Sequence, residues 1–121
     1  FMGLIRPNLQ GIPALEFSRQ LIIDSSDRLN KLIKPFDPII LIIPSRALWT
    51  GTEEYRNTAD KIHKAFIKEL DRRKINYVDP RSLIEKNNMP LHYHFKYDGH
   101  WTRDAHEIAA KALARAINAN W

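Results

Sequence analysis

The sequence predicts an α/β chain: a parallel sheet flanked by helices, of which this stretch holds only a part. Three observations carry that reading. The elements alternate helix, strand, helix, strand, helix, the order that builds parallel sheets. The strongest strand, Ile39-Ile40-Leu41-Ile42-Ile43, is apolar at every residue rather than every second one, the pattern of a strand covered on both faces. Finally, two strands, only one of them strong, are too few for such a sheet. Ile39 to Ile43 is expected to find its other neighbours in sequence ahead of Phe1 or in another chain.

Residues 1–14 carry Gly3, Pro7, Gly11 and Pro13 and read as an irregular lead-in. From about Ala14 to Ile33, Leu15, Ile22, Leu29, Leu32 and Ile33 recur near helical spacing. Ser25-Ser26 weakens the middle of that helix, and Pro35 ends it. Asp37-Pro38 launches the Ile39–Ile43 strand, and Pro44 closes it. The loop 45–52 follows its C-terminal end, which is where open α/β sheets bind ligands.

A second helix starts after Thr52, a good N-cap, with Glu53 and Glu54 complementing its dipole. Its expected apolar face is Tyr55, Ala59, Ile62, Phe66, Ile67 and Leu70, and Arg72-Arg73-Lys74 finishes it. Residues 75–78 make a short strand stopped by Asp79-Pro80. A brief helical turn is expected over residues 82–86 within a loop-rich stretch. The last helix begins at Thr102 and is expected to bury Ala105, Ile108, Ala109, Ala112, Leu113, Ala116 and Ile117. Small residues there imply close packing on a sheet. The whole reads as a single domain or domain fragment over residues 1–121.

Composition narrows the function classes. The chain's 121 residues, 44% hydrophobic and 27% charged, suit one globular domain. No apolar run approaches the roughly 20 residues of a membrane span. There are no cysteines, which excludes disulfides, thiolate metal sites and a cysteine nucleophile. Phe1-Met2-Gly3 opens without a basic region or a long apolar core, so no signal peptide is read there, and Phe1 ahead of Met2 is expected to mark either a vector-derived remnant or an internal start. The net charge is +5, with Lys61, Lys64, Lys68 and Arg72 forming one helical stripe. Acidic residues dilute that stripe and no aromatics interleave with it, so it reads as a solvated helix back rather than a nucleic-acid face.

The chemistry concentrates in Tyr97-Asp98-Gly99-His100-Trp101-Thr102. Asp98 and His100 are two apart, so in extended or tightly turned backbone they point to one side. A carboxylate there can hold and polarise the imidazole, the orienting half of a nucleophile–base–acid relay. Four of the five histidines fall between residues 92 and 106, which leaves open a metal site on His92, His94, Asp98 and His100. His106 lies within the apolar arc of the last helix and is expected to be a packed core histidine. Ser45, directly after the strong strand in Ile43-Pro44-Ser45-Arg46, lacks the adjacent glycine of a nucleophile elbow. Capping is the expected role of its hydroxyl.

The block Tyr97 to Thr102, followed by Ala105-His106-Glu107-Ile108-Ala109-Ala110, resembles the C-terminal block of SGNH (GDSL-type) hydrolases. It is nearest to the branch with an Asp-x-His-Trp motif that includes bacterial polysaccharide O-acetylation proteins. The order Ile39 to Pro44, Tyr55 to Leu70 and Ile75 to Pro80 is similar to what precedes that block in the family. The resemblance, over roughly residues 36–118, implies a three-layer, flavodoxin-like fold with Asp98 as triad acid and His100 as general base. It implies that Trp101 flanks the site, with Ser45 and Arg46 as possible lining. The family's Gly-Asp-Ser nucleophile and its oxyanion glycine and asparagine have no motif match here, so the serine is expected upstream of residue 1.

The implied activity is a serine esterase or acyl hydrolase, with acylated carbohydrate as the implied substrate, needing no metal or organic cofactor. A non-catalytic binding module, served by the basic stripe and an exposed Trp101, is the alternative, and a polysaccharide O-acetyltransferase is a third. The implied partners are the ester substrate, with no nucleic acid and no membrane span. A homo-oligomer, or pairing with the missing N-terminal part, is expected from the open strand edges. The residues leave the compartment open, and the resemblance favours a periplasmic or secreted location.

Overall fold

A computed structural model describes residues 12–120. The lead-in expected over residues 1–14 falls mostly outside them, and helix has already begun at Ile12. The order is α1 (Ile12–Ile33), β1 (Ile40–Leu41), α2 (Glu53–Arg72), β2 (Tyr77–Val78), α3 (Arg81–Glu85) and α4 (Arg103–Asn120), with 3-10 turns at Arg46–Leu48 and Pro90–Tyr93. The described chain is therefore helix-rich with a small parallel sheet. No described helix is long and apolar enough to cross a membrane. Two compact units divide it, one of residues 12–37 with Lys61–Ile75, the other of Pro38–Asp60 with residues 76–120.

In the first unit, α1 runs unbroken through Ser25-Ser26, so the weakness expected there does not interrupt it. Ser26 is fully buried with its hydroxyl unpartnered. Leu32, expected on the apolar face, is exposed instead. Arg73 donates to Asp27 Oδ1 at 3.1 Å and to the Ile23 carbonyl at 3.3 Å. Residues 70–75 stop α2 in a complete Schellman motif. Ile75 N–H donates to the Leu70 carbonyl and Lys74 N–H to that of Asp71, both at 3.0 Å, and Lys74 sits at φ 56°. Leu70 and Ile75 occupy the paired apolar positions of that motif, and both are buried. The basic stripe Lys61, Lys64, Lys68 and Arg72 is exposed along its length, as a solvated helix back would be.

In the second unit, β1 and β2 pair in parallel with Ile40 opposite Tyr77 and Leu41 opposite Val78. Ile40 N–H donates to the Asn76 carbonyl and Ile42 N–H to that of Val78, each at 2.9 Å. The parallel pairing matches the expectation, but the extent of the strand does not. Of the five-residue run only Ile40 and Leu41 are strand, and Ile43 is 66% exposed. The sheet has two strands, so among the described residues the other edge of β1 has no partner, and the run is left uncovered at Ile43. Thr52 caps α2 as expected, accepting from Tyr55 N–H at 3.2 Å. Tyr55, expected on the buried face of α2, is exposed, as is Ile62 in the part of α2 that belongs to the first unit.

The core of this unit is Ile84, Trp101, Ala105 and Ala109, with Leu41, Trp49 and Tyr93 packed against it half-buried. Alanines one turn apart on α4 leave room for the Trp101 indole. Burying an aromatic of this size stabilises by about 3 kcal/mol. Of the α4 residues expected inside, Ala105 and Ala109 are buried, whereas Ile117 is exposed.

The left-handed Lys74 yields a first test. A residue with a Cβ pays about 1 kcal/mol to hold φ near +56°, and glycine does not. Lys74→Gly is expected to raise the urea midpoint at unchanged m-value, by about 1 kcal/mol of unfolding free energy. A lowered midpoint would show that the lysine is not strained.

Candidate active site

The site is built by a loop pinned at both ends. His94 and Trp101 form an antiparallel bridge. Phe95 N–H donates to the His100 carbonyl and Thr102 N–H to the Tyr93 carbonyl, both at 3.0 Å. The loop between them, residues 95–100, is exposed throughout. Because Trp101 is only 7% exposed, the loop is anchored in the core there and runs into α4 behind it. The exposed Trp101 expected of a binding module is thus corrected: the indole is a wedge under the loop. Its edge-on neighbour is His106, 5.7 Å away between ring centroids. His106 itself is exposed rather than the core residue its helical phase suggested.

Within the loop, one oxygen organises the backbone and the imidazole together. Asp98 Oδ1 accepts from His100 N–H at 2.7 Å and from His100 Nδ1 at 2.9 Å. An ionised carboxylate only accepts, so Nδ1 carries the proton and Nε2 presents its lone pair outward. The His100 backbone N–H, then its ring, hold the Asp98 carboxyl below the usual carboxylate range, with the Arg46 charge adding to them and partial burial opposing. The pair is open to water: the side chains are 87% exposed for His100 and 57% for Asp98. Gly99 leaves open space where a Cβ would sit, so no contact with a neighbour requires a glycine between the two.

The loop after β1 reaches the same place. Pro44 is fully buried, and Ser45 caps the 3-10 turn, accepting from Ala47 N–H at 3.2 Å. That is the capping role expected of its hydroxyl. Next to it, Arg46 Nη2 donates to the Lys96 carbonyl at 2.9 Å. The structure therefore brings Asp98, His100 and Arg46 together, sets Trp101 beneath them, and commits the Ser45 hydroxyl to the backbone.

The metal alternative is not assembled. His92 and His94 lie on and just after a 3-10 turn, not on the strand that would have given them a common face. His92 Nε2 pairs with Asp104 at 3.1 Å, and His94 Nδ1 meets the Pro90 carbonyl at 3.3 Å. No group of three or more metal-binding side chains forms among the described residues.

Sequence reasoning missed the support under the loop. His94 is the buried histidine, 5% exposed, with its ring 5.4 Å from that of Trp49. Trp49 Nε1 donates to Glu85 Oε1 at 2.8 Å, and Arg81 bridges Glu85 and Asp60 at 2.9 and 2.6 Å. Burial alone would lower the Arg81 pKa; Glu85 and Asp60 outweigh it and raise it. The Arg81–Glu85 spacing of four was a readable signal. The Trp49–Glu85 contact, between residues far apart in sequence, was not.

The Asp98 shift can be checked by titration. Its folded pKa lies below the unfolded value, so the pairing is fully present above the unfolded value and is lost as pH falls through the folded one. Carboxyl-carbon NMR is expected to show Asp98 titrating at a higher pH in His100→Ala than in the parent chain. Unchanged titration would mean that the imidazole does not hold the carboxylate.

No curated protein and no solved structure matches the chain. The family described as "SGNH hydrolase-like domain, acetyltransferase AlgX" matches residues 8–121, nearly the whole length and all of the loop that carries Asp98 and His100. The chain belongs to this family of SGNH hydrolase-like domains.

Proposed function

We propose that the chain serves acyl transfer at a Ser-His-Asp site, supplying Asp98 as the acid and His100 as the general base. The observation that carries this is the double hydrogen bond from His100 to Asp98 Oδ1, which leaves Nε2 free to take a proton. The nucleophilic serine comes from a part of the protein beyond the described residues or from a second chain. The under-paired β1–β2 sheet supports the same view: further strands complete a three-layer sandwich and bring the serine and oxyanion donors with them.

In this mechanism His100 Nε2 takes the serine proton as the serine oxygen attacks the ester carbonyl. Asp98 keeps the proton on Nδ1 and stabilises the imidazolium that forms. The tetrahedral intermediate expels the alkoxide, which leaves with the proton from Nε2. In the second half, water or a sugar hydroxyl gives its proton to Nε2 and attacks the acyl-enzyme, and the second tetrahedral intermediate expels the serine oxygen, which takes that proton back from Nε2 as acid or a new ester is released. The family's description as an acetyltransferase supports acetyl as the acyl group, and the resemblance to polysaccharide O-acetylation proteins supports transfer to a carbohydrate hydroxyl as one outcome. An acylated carbohydrate is accordingly the proposed substrate class.

One observation favours a second reading, a binding module with no catalysis. His100 is 87% exposed, whereas working triads sit where water is excluded and charge stabilisation is stronger. The two readings part on one experiment with the full-length protein: labelling by a fluorophosphonate probe, and hydrolysis of an aryl acetate. The catalytic reading expects both in the parent, with His100→Ala and Asp98→Ala lowering kcat by about a thousand-fold or more. A folded protein that neither labels nor turns over the ester would leave the binding module standing.

A further inference from the structure

A pocket separate from the Asp98–His100 loop collects cations that no carboxylate answers. It is an open cavity of about 190 Å³ whose apolar lining comes from Leu83 of α3, Tyr93 of the second 3-10 turn and Ile108 of α4. Lys86, at the end of α3, and Lys111 and Arg115, one turn apart on α4, line it as well. No acidic side chain does. The carboxylates on the surrounding elements are engaged elsewhere: Glu85 by Arg81 and Trp49, Asp104 by His92, and Glu107 by Arg103. Among the described residues Lys86, Lys111 and Arg115 have no ion-pair partner of their own.

Three like charges around one apolar floor repel one another and are relieved by an anion. The floor adds a further requirement. A fully hydrated inorganic anion gains nothing from Leu83, Tyr93 and Ile108, whereas a ligand with a short apolar body buries it there and leaves its charged end at the rim. We propose that this pocket binds a small amphiphilic anion, a carboxylate or phosphate monoester carrying a short apolar chain. Lysines and an arginine on flexible stems accept either head group. The inference does not depend on the acyl-transfer reading, because none of the residues lining the pocket belongs to the Asp98–His100 loop.

The test is calorimetric titration of the full-length protein at fixed ionic strength with hexanoate, hexyl phosphate, inorganic phosphate and hexanol. Saturable binding is expected for hexanoate or hexyl phosphate, and the tighter of the two identifies the head group. Both are expected to bind more tightly than inorganic phosphate or hexanol. Lys111→Met with Arg115→Met is expected to weaken the amphiphile by about tenfold, the loss of charge-assisted contacts. Lys61→Met with Lys68→Met removes the same net charge from residues that do not line the pocket and should change nothing. Lys86→Met, on a different element, should also weaken binding and serves if the α4 pair does not fold. The proposal is overturned if neither amphiphile saturates, if inorganic phosphate binds as tightly as hexyl phosphate, or if both pairs of lysine and arginine substitutions weaken binding equally.

Discussion

The bridge between His94 and Trp101 is the constraint on which the rest of the site depends. Two backbone hydrogen bonds close the loop there, and the burial of Trp101 makes that closure inseparable from the packing of α4. Opening the loop would mean withdrawing an indole from the core, a cost of several kcal/mol. Fluctuations of residues 95–100 are therefore confined between fixed ends, although every side chain in the stretch faces water. Arg46 adds a third tether through the Lys96 carbonyl. A loop held this way can keep two side chains in register without a rigid helix or strand beneath them.

Inside that frame, Asp98 acts on the backbone and the ring with the same oxygen. The turn that places the carboxylate is thus also the turn that places the imidazole, and the two positions cannot drift independently. Such coupling favours a pair whose role is orientation. Yet the pair is exposed and the sheet that leads to it has two strands. Those two facts describe the same deficit. A surface that would cover the dyad and a strand that would cover the free edge of β1 are both lacking among the described residues.

The sequence exposed the local features well because they depend on near neighbours. Thr52 as a cap, the stop before Pro35 and the brief helix before Lys86 all rest on contacts within a few residues. Asp98 and His100 were legible for the same reason: their hydrogen bonds span two positions. Burial was less legible. Ile39 to Ile43 has the composition of a five-residue interior strand, but pairing needs a neighbour, and the one short neighbour stands in register only with Ile40 and Leu41. The histidines were misassigned on similar grounds. The helical phase of His106 suggested the core, while His94, in a segment with no periodicity to read, is buried by Trp49 from a loop 45 residues earlier. Trp101 gave no sign of which way it faced, because a tryptophan beside a catalytic-looking motif suits a wedge and a platform equally.

The central claim is that Asp98 fixes the His100 ring with its proton on Nδ1 and its lone pair on Nε2. Nitrogen-15 chemical shifts of the His100 ring, recorded for the neutral imidazole, test this directly. The expected spectrum has a protonated Nδ1 and an unprotonated Nε2, and Asp98→Ala should shift it toward the tautomer mixture of a free imidazole. A parent protein whose His100 already shows that mixture, or carries its proton on Nε2, would contradict the account.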